Sequence, residues 1–366
     1  MTDANGTGGL TRRKLMAGIA ASTGAGLAMP SGAAAEDKGP ADTPDGPQSI
    51  TVDARPIALF QRGSETRRFG ELEFRGGLVL TSSSRHFGGW SGLVMEADGR
   101  SLFAVSDVGA WLTADLAYDS TRPAGLSRAR VGPLLAVGGA RLRSKREQDA
   151  ESVALVDGTL ARGSLLIGFE RMHRIGRFEI RDRELRPPSS YLRLPPESSR
   201  MQPNQGIEAL AVLRAGALRG SVVAFAERFT RGSGYHTGWI WVRDEPQRLH
   251  LQDIDGFNIT DAAGLPDGGL LVLERYFRWT AGVKMRIRRL APADIAPGAR
   301  ITGRILFEAD SSYEIDNMEG IAVHRGAQGE TVVSLISDDN FNHFLQRTIF
   351  LQFTLLSEER RAGMRP

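Results

Sequence analysis

The sequence predicts an all-β chain folded as a single β-propeller of four-stranded blades, and three observations predict it. Beyond residue 50 no stretch of 3.6-residue periodicity runs longer than two turns, while short β-branched and aromatic runs end repeatedly in Gly, Asp or Pro. Five short small-residue segments align with one another at intervals of about 50–60 residues, the signature of a repeated structural unit. Each is followed by a hairpin signal and a second, more hydrophobic strand that ends on an acid, as the first half of a propeller blade would be.

In chain order, residues 1–35 read as an address. Arg12 and Arg13, then Lys14, Leu15 and Met16, precede a weakly apolar Gly- and Ala-rich stretch and small residues at Ala33-Ala34-Ala35. That is the pattern of a twin-arginine signal peptide, and it predicts a bacterial protein in the periplasm or outside the cell. The stretch is too short, and too rich in Gly, Ser and Thr, to predict a membrane anchor that survives cleavage. Residues 36–50, rich in Pro and Asp, read as a flexible linker. Residues 51–366 then form the propeller.

The repeated first strands are WSGLVM at 90, AESVAL at 150, IEALAV at 207, TDAAGL at 260 and MEGIAV at 318. Four of them carry an acid at the second position, Glu151, Glu208, Asp261 and Glu319, and Ser91 stands there in the fifth. The third position is small throughout, which lets inner strands approach one axis. The second strands end at Asp107, Glu170, Glu227, Glu274 and Asp338. Five motifs predict five blades, with a sixth possible if residues 55–80 hold extra structure. Closure is expected to pair FLQFTLL near the C-terminus with ELEFRGGLVL near residue 71.

Composition narrows the chemistry. The chain has 366 residues and no cysteine, which removes disulfides, thiolate nucleophiles and Cys-ligated metals, so any metal must be held by oxygen or imidazole. Lys and Arg number 46 against 43 Asp and Glu, too even a balance to predict a nucleic-acid partner. The G-x-S-x-G elbow, the H-E-x-x-H helix and the phosphate-binding P-loop are absent.

The repeated acids converge on one channel, where like charges need compensation from a hard cation or from arginine. Arginine follows three of the second-strand acids, in Glu170-Arg171, Glu227-Arg228 and Glu274-Arg275. These pairs read either as structural ties between blades or as phosphate ligands. The run Ser337-Asp338-Asp339-Asn340 reads equally as a calcium site or as an Asx-rich turn.

Together FGGWSGL, DGRSLFAVSDVGAW, DAESVAL, GIEALAV, DNMEGIAV, ISDDNFN and QRTIFLQFTL resemble the phytase-like family, described as having the esterase-like activity of phytase. The resemblance runs over roughly residues 55–355 and implies an exported β-propeller with phosphate-ester or ester hydrolase activity. On this reading Glu208 or Glu319 is the general base, and Arg171, Arg228 and Arg275 bind phosphate oxygens. Glu151, Asp261, Asp338, Asp339 and Asn340 are the candidate ligands of a calcium ion. A carboxyl-ester or lactone hydrolase on the same scaffold, with Glu151, Glu319 and Asp338 around the metal, is the alternative. A non-catalytic propeller that binds an envelope glycan or protein is another. The expected partner is a small-molecule ester met by a monomer.

Overall fold

The computed structural model describes residues 43–356 except 204, 228 and 230–232. Within them the chain is a five-bladed β-propeller, and each aligned motif is the innermost strand of one blade. Strands are lettered a to d from the axis outward. Strands a of blades 1 to 5 are Trp90–Met95, Ala150–Gly158, Ile207–Val212, Asn258–Gly264 and Asn317–Arg325. Strands b are Ser101–Ser106, Arg162–Phe169, Val222–Ala226, Leu270–Arg278 and Thr331–Asp338.

The ring closes as the sequence predicts. Thr348–Leu355 is strand c of blade 5, and it pairs antiparallel with Leu72–Thr81, from Thr348 opposite Leu80 to Leu355 opposite Leu72. Residues 55–80 therefore widen blade 5 rather than make a sixth blade, with Asp53–Ile57 outermost. Gln48–Ser49, at the end of the stretch read as a linker, pairs with Arg122–Pro133 and covers the outer edge of blade 1. Arg300–Ile301 does the same for blade 3, in parallel with Glu245–Gln252. Both additions remove an open strand edge. Residues 1–35, the expected signal, lie outside the described residues.

Blades are apolar on both faces because each packs against two neighbours, so strand b is apolar nearly throughout, as in Val222–Ala226. An apolar cluster fills each interface. Phe103 and Trp111 of blade 1 meet Ile167 and Phe178 of blade 2, and Phe225 of blade 3 meets Val272 of blade 4. Between blades 4 and 5, Phe60, Phe69, Phe74 and Phe353 form an aromatic cluster that anchors the N-terminal strands, with Phe60 and Phe353 centroids 4.9 Å apart. The small third position works as expected. A Cβ on Gly92 would lie 3.0 Å from the Val153 backbone nitrogen, and one on Gly320 would lie 3.0 Å from Leu93 Cβ.

Candidate functional site

Each strand a is bulged where it meets the mouth of the channel, and the residue left without a partner points into that mouth. The pairing jumps from Trp90 to Gly92, Ala150 to Ser152, Ile207 to Ala209, Ile259 to Asp261 and Met318 to Gly320. The equivalent mouth residues are therefore Ser91, Glu151, Glu208, Thr260 and Glu319. This corrects the alignment in blade 4 by one residue, since Thr260 and not Asp261 shares the place of the glutamates.

Strand b shifts with it. Ser106, Phe169, Ala226, Glu274 and Ser337 are the residues opposite the last pair before each bulge, so the mouth positions that follow are Asp107, Glu170, Glu227, Arg275 and Asp338. Blade 4 thus supplies an arginine where the others supply an acid. Glu274 turns away instead and pairs with Arg288, both fully buried.

Asp261 lies deeper, at the axis. Its carboxylate accepts N–H bonds from Ala262 at 2.8 Å and from Ile321 at 2.9 Å, and it also takes the backbone N–H groups of Leu210 and Leu93. Those four residues are equivalent positions in four blades. Asp261 was an expected calcium ligand, but a carboxylate ringed by N–H donors offers no lone pairs to a cation. Burial pushes its pKa well above the usual carboxylate range, and the amides work against that shift.

The run after strand b of blade 5 forms an Asx-rich turn. Asp338 Oδ1 accepts the Asn340 N–H at 2.6 Å. Asp339 accepts the N–H groups of Gly89 at 3.0 Å and Phe341 at 3.1 Å and the Thr348 hydroxyl at 2.8 Å. Asn340 is exposed with a left-handed φ of 50°, a conformation asparagine tolerates. The Asp339 carboxylate is thereby spent on the turn and Asn340 contributes its backbone N–H to it, while Asp338 remains on the mouth ring.

The ring divides into three sectors by charge. Between blades 1 and 2, Lys145 Nζ bridges Asp107 at 2.6 Å and Asp149 at 2.5 Å, and Arg171 Nε lies 3.0 Å from Asp149. Burial opposes the lysine charge, but Asp107, Asp149 and Glu151 outweigh it and raise its pKa. Between blades 4 and 5, Arg275 Nε lies 3.2 Å from Glu319 Oε1, and its guanidinium donates to Asn317 Oδ1. Asn317 donates in turn toward Asp338 at 3.5 Å. Arg228, the third expected phosphate ligand, lies outside the described residues.

The third sector, on blades 2 and 3, is acidic. Oxygens of Glu170, Glu208 and Glu227 lie within 4.8 Å of one another, as do those of Asp149, Glu151 and Glu170. Among the described residues no lysine or arginine pairs with Glu170 or Glu208. Glu170 and Glu208 share a hydrogen bond, and Asn258 Nδ2 donates to Glu227 at 2.8 Å. Gly206 makes room here, for a Cβ would lie 2.6 Å from Glu170 Cγ.

Burial and the charges of Asp149 and Glu227 push the Glu170 pKa up to about 8. Burial, then Glu170 and Glu151, raises Glu208 well above the ordinary range, and burial with Asp149 does the same for Glu151. Glu151 and Glu208 are only half-buried by surface, yet they lie in a funnel walled by the blades and are desolvated like interior groups. Glu319 rises only to about 7, because Arg275 opposes the effect of burial. Asp338 is raised by burial and by Asp107.

Sequence reasoning reached Glu151, Glu208, Glu319, Asp338, Arg171 and Arg275, all of which the structure brings to one mouth. It noted Glu170 and Glu227 as strand ends without placing them in the site, and it missed Asp149, Lys145, Asn258 and Asn317. The aspartate in DAESVAL and the shared Asn of NITDA and NMEGI were the signals available.

No curated protein matches the sequence. Among solved structures, the β-propeller domain of Myceliophteria thermophila Cps50 (Swd1) is similar at 9% identity with a TM-score of 0.36, covering 84% of this chain and 99% of that one. The model of the family described as phytase-like, with the esterase-like activity of phytase, matches residues 85–341. That span holds the five inner strands and every acid of the mouth ring, and the chain belongs to the phytase-like family.

Proposed function

We propose that this protein is a metal-assisted hydrolase of phosphate esters, working at the acidic mouth with calcium as its metal. One observation carries the reading: Glu170, Glu208 and Glu227 converge with no paired cation on Glu170 or Glu208, and Glu170 is held near pKa 8. A donor set made only of oxygen suits a hard cation, and Ca²⁺ takes about six to eight such ligands. The neighbouring trio shares Glu170, but Lys145 and Arg171 already hold its Asp149. The cation is therefore assigned to blades 2 and 3, with Glu208 a ligand rather than the base.

When bound, the cation would polarise a phosphoryl oxygen and lower the pKa of an attacking water. Glu319 is the general base in this scheme, since a carboxylate with a pKa of about 7 accepts a proton well at neutral pH. Arg275 favours the anionic form of Glu319 against the effect of burial and presents its guanidinium to a phosphoryl oxygen. Arg171 does so from the opposite rim, and Arg228 joins them by its place in the repeat. Export by the twin-arginine route, as residues 10–35 predict, would put this chemistry in the periplasm or outside the cell.

The same cation would polarise a carboxyl ester, so substrate choice is the test. Chelator-treated protein is assayed on a phosphomonoester and on a fluorogenic carboxyl ester while calcium is returned. Calcium-dependent turnover of the phosphomonoester is the expected result. Turnover of the carboxyl ester alone would transfer the assignment to that chemistry, and no turnover of either would refute the hydrolase.

A further inference from the structure

The antiparallel blades dictate which loops surround the mouth. Strand a begins there and strand b ends there, so every b–c connection lies on the mouth face. Met172, Trp279, Phe344 and Leu345 belong to such connections and Phe277 to the strand end that leads into one, and all are exposed. Trp279 and Phe344 are each 94% exposed and Leu345 is 73% exposed, the three highest values among the large exposed apolar residues described.

The blade 4 connection is a projecting hairpin. Arg275 sits on the mouth ring, but the pairing with strand c continues outward through Tyr276, Phe277 and Arg278, opposite Lys284, Val283 and Gly282. Three further pairs raise the tip about 10 Å above the ring. The tip turn is closed by the Ala281 N–H donating to the Arg278 carbonyl at 3.0 Å, which leaves Trp279 at the summit. Next to it, the blade 5 connection is braced from below by the Asp339 carboxylate and by Asn342, whose carbonyl accepts the Leu345 and Gln346 N–H groups at 2.9 Å each. Phe344 and Leu345 stand on that braced loop.

Neither segment carries an exposed carboxylate. Residues 276–284 contain Arg278 and Lys284 and no acid, and residues 340–347 contain His343 and Arg347 and no acid. The blade 4 hairpin therefore combines an aromatic tip with the positive charge of Arg278 and Lys284, whereas on the blade 5 loop Arg347 is already held by Glu314 at 2.9 Å and His343 lies 3.1 Å from Asp339, so that loop offers apolar tips alone. Among the described residues nothing covers these tips, and exposing a Trp, a Phe and a Leu together is costly in water.

We propose that the mouth face docks on an anionic lipid surface through these two loops, Trp279, Phe344 and Leu345 entering the headgroup layer and Arg278 meeting lipid phosphate. The shape favours lipid over a folded protein partner. Protein interfaces need a broad, complementary patch of about 800 Å² per partner, whereas two separate projecting tips suit a deformable medium. Trp and Phe are favoured at that depth, and flanking cations add attraction to anionic headgroups. The docking stands apart from the chemistry of the mouth and holds whether or not an ester is cleaved there.

Trp279 supplies its own reporter, because Trp90, Trp111, Trp239 and Trp241 are buried. The protein is mixed with vesicles of equal parts phosphatidylcholine and phosphatidylglycerol and followed by cosedimentation, emission wavelength and acrylamide quenching. Binding should move the emission to the blue and protect it from acrylamide. Trp279→Ser should weaken cosedimentation about tenfold or more, and Phe344→Ser with Leu345→Ser should weaken it similarly while keeping the reporter. Melting temperatures of both variants should match the parent, since neither touches the core. No cosedimentation overturns the proposal, and so does binding that survives both variants. A blue shift that grows with protein concentration in lipid-free buffer also overturns it, because the tips would then be covered by a second copy.

Discussion

The Asp261 carboxylate accepts the Ile321 backbone N–H at 2.9 Å, so a side chain of blade 4 fastens the inner strand of blade 5 at the propeller axis. Its further bonds reach Leu93 of blade 1 and Leu210 of blade 3. One carboxylate thus joins four blades where a continuous backbone ladder cannot run. Asp261→Ala leaves those N–H groups buried without an acceptor, and a loss of about 3–5 kcal/mol is expected from urea unfolding. A loss below about 1 kcal/mol would show that the axis is held by packing alone.

That residue also shows how much the sequence made legible. Repeat spacing and small third positions were enough for the propeller, and the pairing of FLQFTLL with ELEFRGGLVL was readable because both strands lacked a partner within their own repeat. Aligning on acids placed Asp261 among the glutamates, although aligning Asn258 with Asn317 puts Thr260 there. Side-chain type is ambiguous by one residue across a bulge, while the pleat is not. Lys145 was invisible because it enters the ring from a four-residue helix, Lys145–Gln148, outside the repeat.

The raised carboxyl pKa values predict how stability varies with pH in the absence of a cation. Glu170 titrates near 8 and Glu274 and Glu319 near 7 in the folded chain, against about 4.3 when unfolded. Between those limits the folded state binds more protons, so stability is greatest below about pH 4.3 for these groups and falls as pH rises toward about 8. Melting temperatures in chelator should therefore drop from pH 6 to pH 8. Calcium should flatten the drop, leaving the shares that belong to Glu319, which is not among the proposed ligands, and to Glu274, which faces Arg288 away from the mouth.

Removing Glu208 from the acidic cluster should separate scaffold from function. Glu208→Gln keeps the shape and relieves like-charge repulsion from Glu170 and Glu151. In chelator at pH 8 the variant should melt at or above the parent temperature, while its calcium response and turnover disappear. A variant that melts well below the parent in chelator would make Glu208 a structural residue.

Arg275 lowers the pKa of Glu319 against the effect of burial. Arg275→Gln removes that opposition, so the Glu319 pKa should climb and the acid limb of the kcat/KM profile should move to higher pH. Turnover should also fall about 10²–10³-fold, as for other lost ligands of developing charge. An unchanged acid limb would remove Glu319 from the role of base.

Calorimetric titration of calcium into the chelator-treated protein at pH 7, in buffers of different ionisation enthalpy, tests the central assignment most directly. Calcium should bind with net release of protons, because Glu170 and Glu208 share one until a cation replaces it. Glu170→Gln should abolish both the binding and the proton release. Binding of equal strength in Glu170→Gln and Glu208→Gln, or no binding by the parent chain, would contradict a cation site on blades 2 and 3.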